Sequence, residues 1–430
     1  MIGFLVGLVA AAISLGRLWL GNPAAPSEVL WAEDGLFPLC IRKADFFTCL
    51  TEPFAGYLLF TPRVLALPVS LLPWEWWALA TNIIAALLAG GVASFVFVVM
   101  KRAGLHLFVS VVVALLPVLA PMSGLEAINS IGSSYMLVLF ASTMALVLPQ
   151  VAQGSRGWTF AIAALLLITA LTIPTAVVLV PVVLVQLTRR QIGLSQLALW
   201  LAALFVGLAA QAWAALSAVA PRPINFGPET LNSWADTVPV SILTYWPGLS
   251  IGEYSFFINF TMRPQAITGW LIIGALVVAG VALLVRGWSP TSAVAAPAGL
   301  LLFAGLGFGL IPSAIGDANN RYFVVPLVLW GAAVLLLLEP VMARARVWVV
   351  GLVTVVVLII WWPAMASSEI RSTPAPPWTQ EVERVEAACR ADPAFVDRPI
   401  FSPFWPPNWG DGLIEPTHPN LPCTTVWRWL

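Results

Sequence analysis

Long apolar runs dominate the chain, and its polar residues come in short groups between them. A membrane-crossing helix needs about 20 apolar residues. The runs predict spans over 2–20, 76–100, 104–121, 134–152, 157–173, 174–188, 195–217, 266–286, 291–312, 322–338 and 347–363, about eleven in all. Thr172-Ile173-Pro174-Thr175 interrupts the stretch 157–188 at mid-length. A proline there lacks the donor for the helical ladder, so two short helices joined by a tight turn are predicted. Gly56 to Leu72 is also apolar but carries Pro62, Arg63 and Pro68, and is predicted to lie at the membrane surface or to insert only in part.

Three larger pieces lie between or after the spans: a first loop over 21–75, a second over 218–265, and a tail over 364–430. They divide the chain into a transmembrane domain, 1–363, and a small C-terminal segment. The tail holds a short helical pattern from Thr379 to Cys389 and a Pro/Trp-rich stretch from Phe401 to Trp409. It is too short for a conventional enzyme domain and is expected to pack over one mouth of the membrane domain. The apolar N-terminus has no basic leader and no small-residue cleavage site before Asn22, so it is expected to remain as the first span.

Composition agrees with this pattern. Of 430 residues, 60% are hydrophobic and 9% charged, against about a quarter charged in soluble domains. A soluble enzyme, a nucleic-acid binder, a disordered chain and a coiled coil are excluded; an all-α polytopic membrane protein remains. The net charge is zero, from 20 basic and 20 acidic residues, but the two signs are not mixed. Lys101, Arg102, Arg156, Arg189, Arg190, Arg286, Arg344 and Arg346 fall in alternate connections, where the only acid is Glu339. Basic connections stay in the cytoplasm. The N-terminus is therefore expected inside and the C-terminus outside. Alanine, proline and tryptophan richness with few lysines suggests a bacterial plasma membrane.

All four cysteines, Cys40, Cys49, Cys389 and Cys423, then lie outside. An oxidising exterior permits the bridges Cys40–Cys49 and Cys389–Cys423; four free thiols are the alternative. The 21 tryptophans suit the membrane interface, and those of the tail could also stack on sugar rings.

The first loop concentrates the chemistry. It reads Trp31-Ala-Glu-Asp-Gly35, then Arg42-Lys43, then Pro53 to Arg63 through Gly56 and Tyr57. A carboxylate at the membrane face, Asp34 before Glu33 in preference, can act as general base toward a hydroxyl or help hold a divalent cation. Arg63, set in apolar sequence, suits an anionic partner such as a phosphate. The alternative is that Glu33 or Asp34 pairs with Arg42, Lys43 or Arg63 to fold the loop. Asp317, Asn320, Arg321 and Tyr322 form a polar group before a late span, where Arg and Tyr either bind a lipid phosphate or anchor the interface. Arg263 has the same two readings. Glu126 and Asn129 either line a cavity or cap a helix. Asp236 and Glu253 rank lower, as solvated loop acids.

On Glu33-Asp34 in the first loop, the segment from Gly56-Tyr57 to Pro62-Arg63, and Asn320-Arg321-Tyr322 before a late span, the chain resembles the GT-C superfamily of integral-membrane glycosyltransferases. The resemblance covers the membrane domain in architecture. It implies inverting transfer of a sugar from a polyprenyl-phosphate donor to a glycan, lipid or protein acceptor. Asp34 would deprotonate the acceptor, aided by Glu33. Arg63, Arg321, Tyr322, Arg263 and Lys43 would stabilise the departing phosphate. Tyr57, Glu126, Asn129, Asp317 and Asn320 would line the cavity. Some members use a divalent cation, magnesium or manganese, and here Glu33 and Asp34 would be the residues to hold one. The short tail departs from the larger folded domains of several members. The other readings are a flippase for lipid-linked saccharides, which midplane charges would favour, and a non-catalytic assembly factor that docks through its tail.

Overall fold

The structure is a computed structural model. It describes residues 1–21, 23–30, 32–54, 56–120, 129–218, 227–228, 231, 234–235, 265–287, 294–314, 324–345, 377–392, 396–397 and 421–422. Apolar helices dominate it. The first, α1 (Ile2–Gly21), is followed by the short α2 (Ala25–Glu28) and three first-loop helices, α3 (Leu36–Lys43), α4 (Phe46–Thr51) and α5 (Phe60–Ser70). Then come α6 (Trp77–Arg102), α7 (Leu107–Leu119), α8 (Tyr135–Val147), α9 (Arg156–Thr172), α10 (Leu179–Thr188) and α11 (Leu194–Ser217). The later helices are α12 (Gln265–Gly287), α13 (Ala295–Ala314), α14 (Val324–Met342) and, in the tail, α15 (Trp378–Ala391). A two-residue antiparallel pair, Val396–Asp397 with Leu421–Pro422, is the one sheet among the described residues.

Five helices among the described residues are long and apolar enough to cross a membrane: Ile2–Leu20, Trp74–Arg102, Leu194–Ser217, Gly269–Arg286 and Val324–Met342. Five more are apolar but shorter: Leu107–Leu119, Tyr135–Val147, Arg156–Thr172, Pro174–Thr188 and Ala295–Ile311. These helices make the chain a helical multi-pass membrane protein, and among the described residues the full-length spans are fewer than the predicted runs. The difference lies in length. An apolar run continues through residues that leave the helix, such as Pro149–Ala152 after α8, which forms a 3-10 turn. The eleventh run, 347–363, lies outside the described residues.

The interruption between α9 and α10 falls at the predicted place. Ile173 is extended, as the residue before a proline prefers, and Pro174–Val178 turns as 3-10 helix before α10 begins. The Gly56–Leu72 segment supplies only the 11 residues of α5, too short to span a bilayer.

Packing of α1 on α6 forms one side of the bundle, and α9 on α11 another; α14 lies against α7, α8 and α13. The core is hydrophobic throughout α8, whose residues are all buried. Some polar side chains within it bond to backbone carbonyls or to one another. Gln186 donates to the carbonyls of Leu146 and Val147 at 2.8 and 3.3 Å, and Ser142 and Thr169 share a hydrogen bond of 2.7 Å. Such closure is what an interior without water demands.

The bundle has two chemically different ends. At one, Arg102 stacks over the Trp158 ring at 4.9 Å, and Gln153 donates to the Gln191 carbonyl at 3.3 Å. The connections with Lys101-Arg102, Arg156 and Arg189-Arg190 therefore gather there. Along α6, 26 residues and about 39 Å, the other end carries the first loop and the tail. Arg42 donates from Nε to the Ser70 carbonyl at 2.5 Å and from Nη2 to that of Leu72, with its guanidinium 5.3 Å from the Trp77 ring. Burial lowers its pKa, against the pull of Glu75. Trp378 stacks on Trp77 with centroids 6.4 Å apart and donates to the Trp74 carbonyl at 2.6 Å. Glu28 Oε2 accepts from the backbone N–H and hydroxyl of Thr379 at 3.1 and 2.7 Å, closing the first turn of α15.

Cys40 and Cys49 are joined in a disulfide that ties α3 to α4. Cys389 is disulfide-bonded and buried; Cys423, the one cysteine the sequence leaves for it, lies outside the described residues.

The α1–α6 crossing is close because both helices offer glycine. A Cβ at Gly90 would stand 2.6 Å from the Gly7 carbonyl oxygen, and one at Gly7 would stand 2.7 Å from that of Gly90. Small residues allow such backbone approach in membrane helices. Gly90→Ala should destabilise the folded protein by about 1–3 kcal/mol and lower its thermal midpoint in detergent. Gly91→Ala, where a Cβ meets nothing within 4 Å, should not. Equal midpoints for the two variants would refute the close-approach account.

Candidate functional site

Asp34 lies in the 3-10 turn Ala32–Gly35, between α2 and α3, and its residue is only 1% exposed. A carboxylate so buried needs donors. Two reach the same oxygen: the Ser130 hydroxyl and the Gly132 backbone N–H each donate to Oδ1 at 2.7 Å. Both come from the segment that leads into α8. The Ser133 N–H in turn donates to Ser130 Oγ at 3.2 Å. The positive end of the helix dipole and the two donors stabilise negative charge on Asp34.

The segment is pinned at its other end. Asn129, fully buried, donates through Nδ2 to the Ser14 carbonyl at 2.9 Å and accepts from the Ser14 hydroxyl at Oδ1. One helical turn further along α1, Arg17 is 4% exposed, and its Nη1 donates to the Val118 carbonyl of α7 at 2.6 Å. The chain thus joins α1, the first loop, the end of α7 and the start of α8 around one acid.

An aromatic run borders this cradle. Phe37 is 6.2 Å from Phe54, and Phe54 meets Tyr57 edge to face at 6.3 Å. Phe54 and Tyr57 also exchange backbone hydrogen bonds of 2.9 and 3.1 Å, which close the turn at Gly56, whose φ is +87°. After Tyr57 the chain docks on the bundle. Gln211 accepts from the Leu58 N–H at 2.8 Å, and Thr61 and Thr172 hydroxyls lie 2.7 Å apart.

Arg63, 4% exposed, is held by the first loop itself. Its Nη1 donates to the Leu50 carbonyl at 3.2 Å. Burial pushes its pKa down to about 10, against the raising effect of nearby Glu52, so it stays cationic at neutral pH. Lys43 ends α3, and Glu33 shares the turn of Asp34. Glu126, Arg263, Asp317, Asn320, Arg321 and Tyr322 lie outside the described residues, as do Asp236 and Glu253.

The donor set at Asp34 does not suit a divalent cation on Oδ1. Ser130 gives its proton to that oxygen and accepts the Ser133 N–H, and Gly132 offers an N–H with no lone pair. Cys40, Cys49 and Glu52 come together closely enough for a metal, but the two sulfurs are bonded to each other and supply no thiolate.

The sequence reading singled out Asp34, Asn129 and Arg63. It missed Ser14, Arg17 and Gly132. Arg17 had a signal, as the only charged residue within Ile2–Gly21 and three positions from Ser14 on one helix face. Gly132 had none. A Cβ there would sit 3.1 Å from Asp34 Oδ1 and 3.4 Å from Ser130 Oγ, a requirement that only the folded contact creates. Gly132→Ala should therefore cost about 1–2 kcal/mol, measured by thermal unfolding. At least about 0.5 kcal/mol of that cost should vanish when Asp34 is also alanine. Strict additivity of the two substitutions would contradict the contact.

The chain matches no protein-family model and no curated protein sequence.

Proposed function

We propose that the protein is an integral-membrane glycosyltransferase of GT-C type. In this reading it moves a sugar, with inversion, from a polyprenyl-phosphate donor to an envelope glycan, lipid or protein acceptor. One observation carries the proposal. A buried aspartate, fixed by two donors to one oxygen, stands at the end of the bundle opposite the basic connections.

In this reading the Asp34 end faces outward, the N-terminus is cytoplasmic and the C-terminus is external, in a bacterial plasma membrane. The gathering of Lys101, Arg102, Arg156, Arg189 and Arg190 at the far end supports that orientation. So does the disulfide in the first loop. The full set of eleven membrane passages belongs to the same proposal, with the shorter apolar helices crossing beside the five long ones.

Chemically, Asp34 takes the proton of the acceptor hydroxyl as its oxygen attacks the anomeric carbon. The bond from that carbon to the phosphate oxygen breaks, and the polyprenyl phosphate leaves with an added negative charge. Arg63, kept cationic, contributes positive potential on the first-loop side; Arg321, Tyr322, Arg263 and Lys43 complete the phosphate set. Tyr57, Glu126, Asp317 and Asn320 are assigned to the cavity wall, whereas Asn129, also predicted there, is buried against Ser14. Fixing the carboxylate in advance is what makes a general base effective, because no reorganisation is left for the reaction itself. No step requires a metal.

A second reading, a flippase for lipid-linked saccharides, draws on Arg17, a buried cation inside the first span. Detergent-solubilised full-length protein and radiolabelled polyprenyl-phosphate sugar separate the two. Transfer should occur, and Asp34→Asn should lower kcat by about 10²–10⁴-fold with the thermal midpoint little changed. Arg63→Ala should reduce kcat/KM as well. Full activity in Asp34→Asn would sink the mechanism. Movement of labelled lipid across vesicles without any transfer would favour the flippase.

A further inference from the structure

The contacts around Asp34 go further than holding an acid, because they connect it to a membrane helix. We infer that Ser130 and Asn129 are positioning residues that set the direction of the Asp34 carboxylate relative to α1, with Ser14 as their anchor. The inference rests on the glycosyltransferase reading for its kinetic form but on the hydrogen bonds alone for its geometry.

Asn129 is adjacent to Ser130 in sequence, so the two side chains are coupled through one peptide unit. Asn129 uses its amide N–H on the Ser14 carbonyl and its oxygen on the Ser14 hydroxyl. A carboxamide engaged at both atoms by one residue can neither rotate nor flip without losing a buried hydrogen bond. Ser14, 1% exposed, is itself fixed by the helix around it. Ser130 then donates to Asp34 Oδ1 and accepts from the Ser133 N–H, so its hydroxyl proton has one direction. Gly132 adds a second donor to the same oxygen from the same short segment. With Oδ1 held by two donors at 2.7 Å, the plane of the carboxylate and the bearing of its other oxygen are determined.

The contacts run between residues 96 to 115 positions apart, and each participant is buried. Displacement of α1 along its axis would therefore be passed to the carboxylate. The role is distinct from catalysis, since neither Ser130 nor Asn129 takes a proton from substrate.

The experiment uses full-length protein in detergent, with Ser130→Ala, Ser130→Thr, Asn129→Ala and Ser14→Ala. Two readouts are taken: steady-state transfer from radiolabelled polyprenyl-phosphate sugar, and the infrared carboxylate band of Asp34, isolated as the difference between each protein and its Asp34→Asn counterpart. Ser130→Ala should lower kcat on the order of 10- to 100-fold, the factor expected for one hydrogen bond to a charged group, with KM within about twofold. Ser130→Thr, which keeps the hydroxyl, should recover most of the loss. Asn129→Ala should lower kcat too. Ser14→Ala, which keeps the backbone carbonyl that Asn129 Nδ2 uses, should give a smaller fall and guards against a variant that fails to fold. The infrared band should shift in Ser130→Ala and return in Ser130→Thr. Unchanged kcat in Ser130→Ala, or a loss carried by KM alone, would overturn positioning while leaving the reaction intact. If the wild type transfers no sugar, the reaction fails and the band decides alone: a shift supports positioning, and an unmoved band in Ser130→Ala and Asn129→Ala ends it.

Discussion

A charge buried at the end of an apolar helix bundle has no water to solvate it, so the protein must supply every donor. Much of this structure follows from meeting that demand at Asp34. The donors come from the segment before α8, which is fastened to α1 through Asn129 and Ser14. The acid itself comes from a turn between α2 and α3. Three parts of the chain far apart in sequence therefore have to arrive together, and Gly132 has to be small enough to let them.

The same constraint explains how the first loop is built. Its helices are too short to stand alone, and polar side chains fasten them at several points. Arg42 closes the end of α5, Arg63 reaches the end of α4, and the Cys40–Cys49 bridge joins α3 to α4. Asp45 caps α4 through Thr48, at 2.9 Å to its N–H and 2.6 Å to its hydroxyl, and those bonds lower its pKa. The tail helix adds its weight from outside, with Trp378 on Trp77 and Glu28 at its first turn. Asp34 is thus carried by a loop fastened on several sides, the kind of rigidity a positioned acid needs.

The distribution of charge follows the same logic on the larger scale. Lys101, which donates to the Leu105 carbonyl at 2.6 Å, and Arg102, over the Trp158 ring, sit at the end where α6 finishes. The buried arginines, Arg17 and Arg63, lie toward the end where Asp34 is held. A net charge of zero conceals that separation.

Much of this was legible without coordinates. Hydrophobic run length gives the helices and the membrane, because burying backbone in lipid leaves few alternatives to helix. Pro174 marks the break after Thr172, and the spacing of Cys40 and Cys49 allows their bridge. The place of Asp34 in a chemically dense loop was also visible. Among the described residues run length overstated the number of full spans, since apolar sequence continues through turns such as Pro149–Ala152. The partners of Asp34 were not visible, nor were the Gly7–Gly90 crossing and the seat of Trp378. Each is a contact between distant positions whose residues, a serine, a glycine or a tryptophan, have ordinary local roles. Sequence by itself determined which segments are helical and which residues carry charge, because those depend on local composition and period. Only the tertiary structure decided which donors surround the acid and which backbones touch, because those depend on how the helices cross.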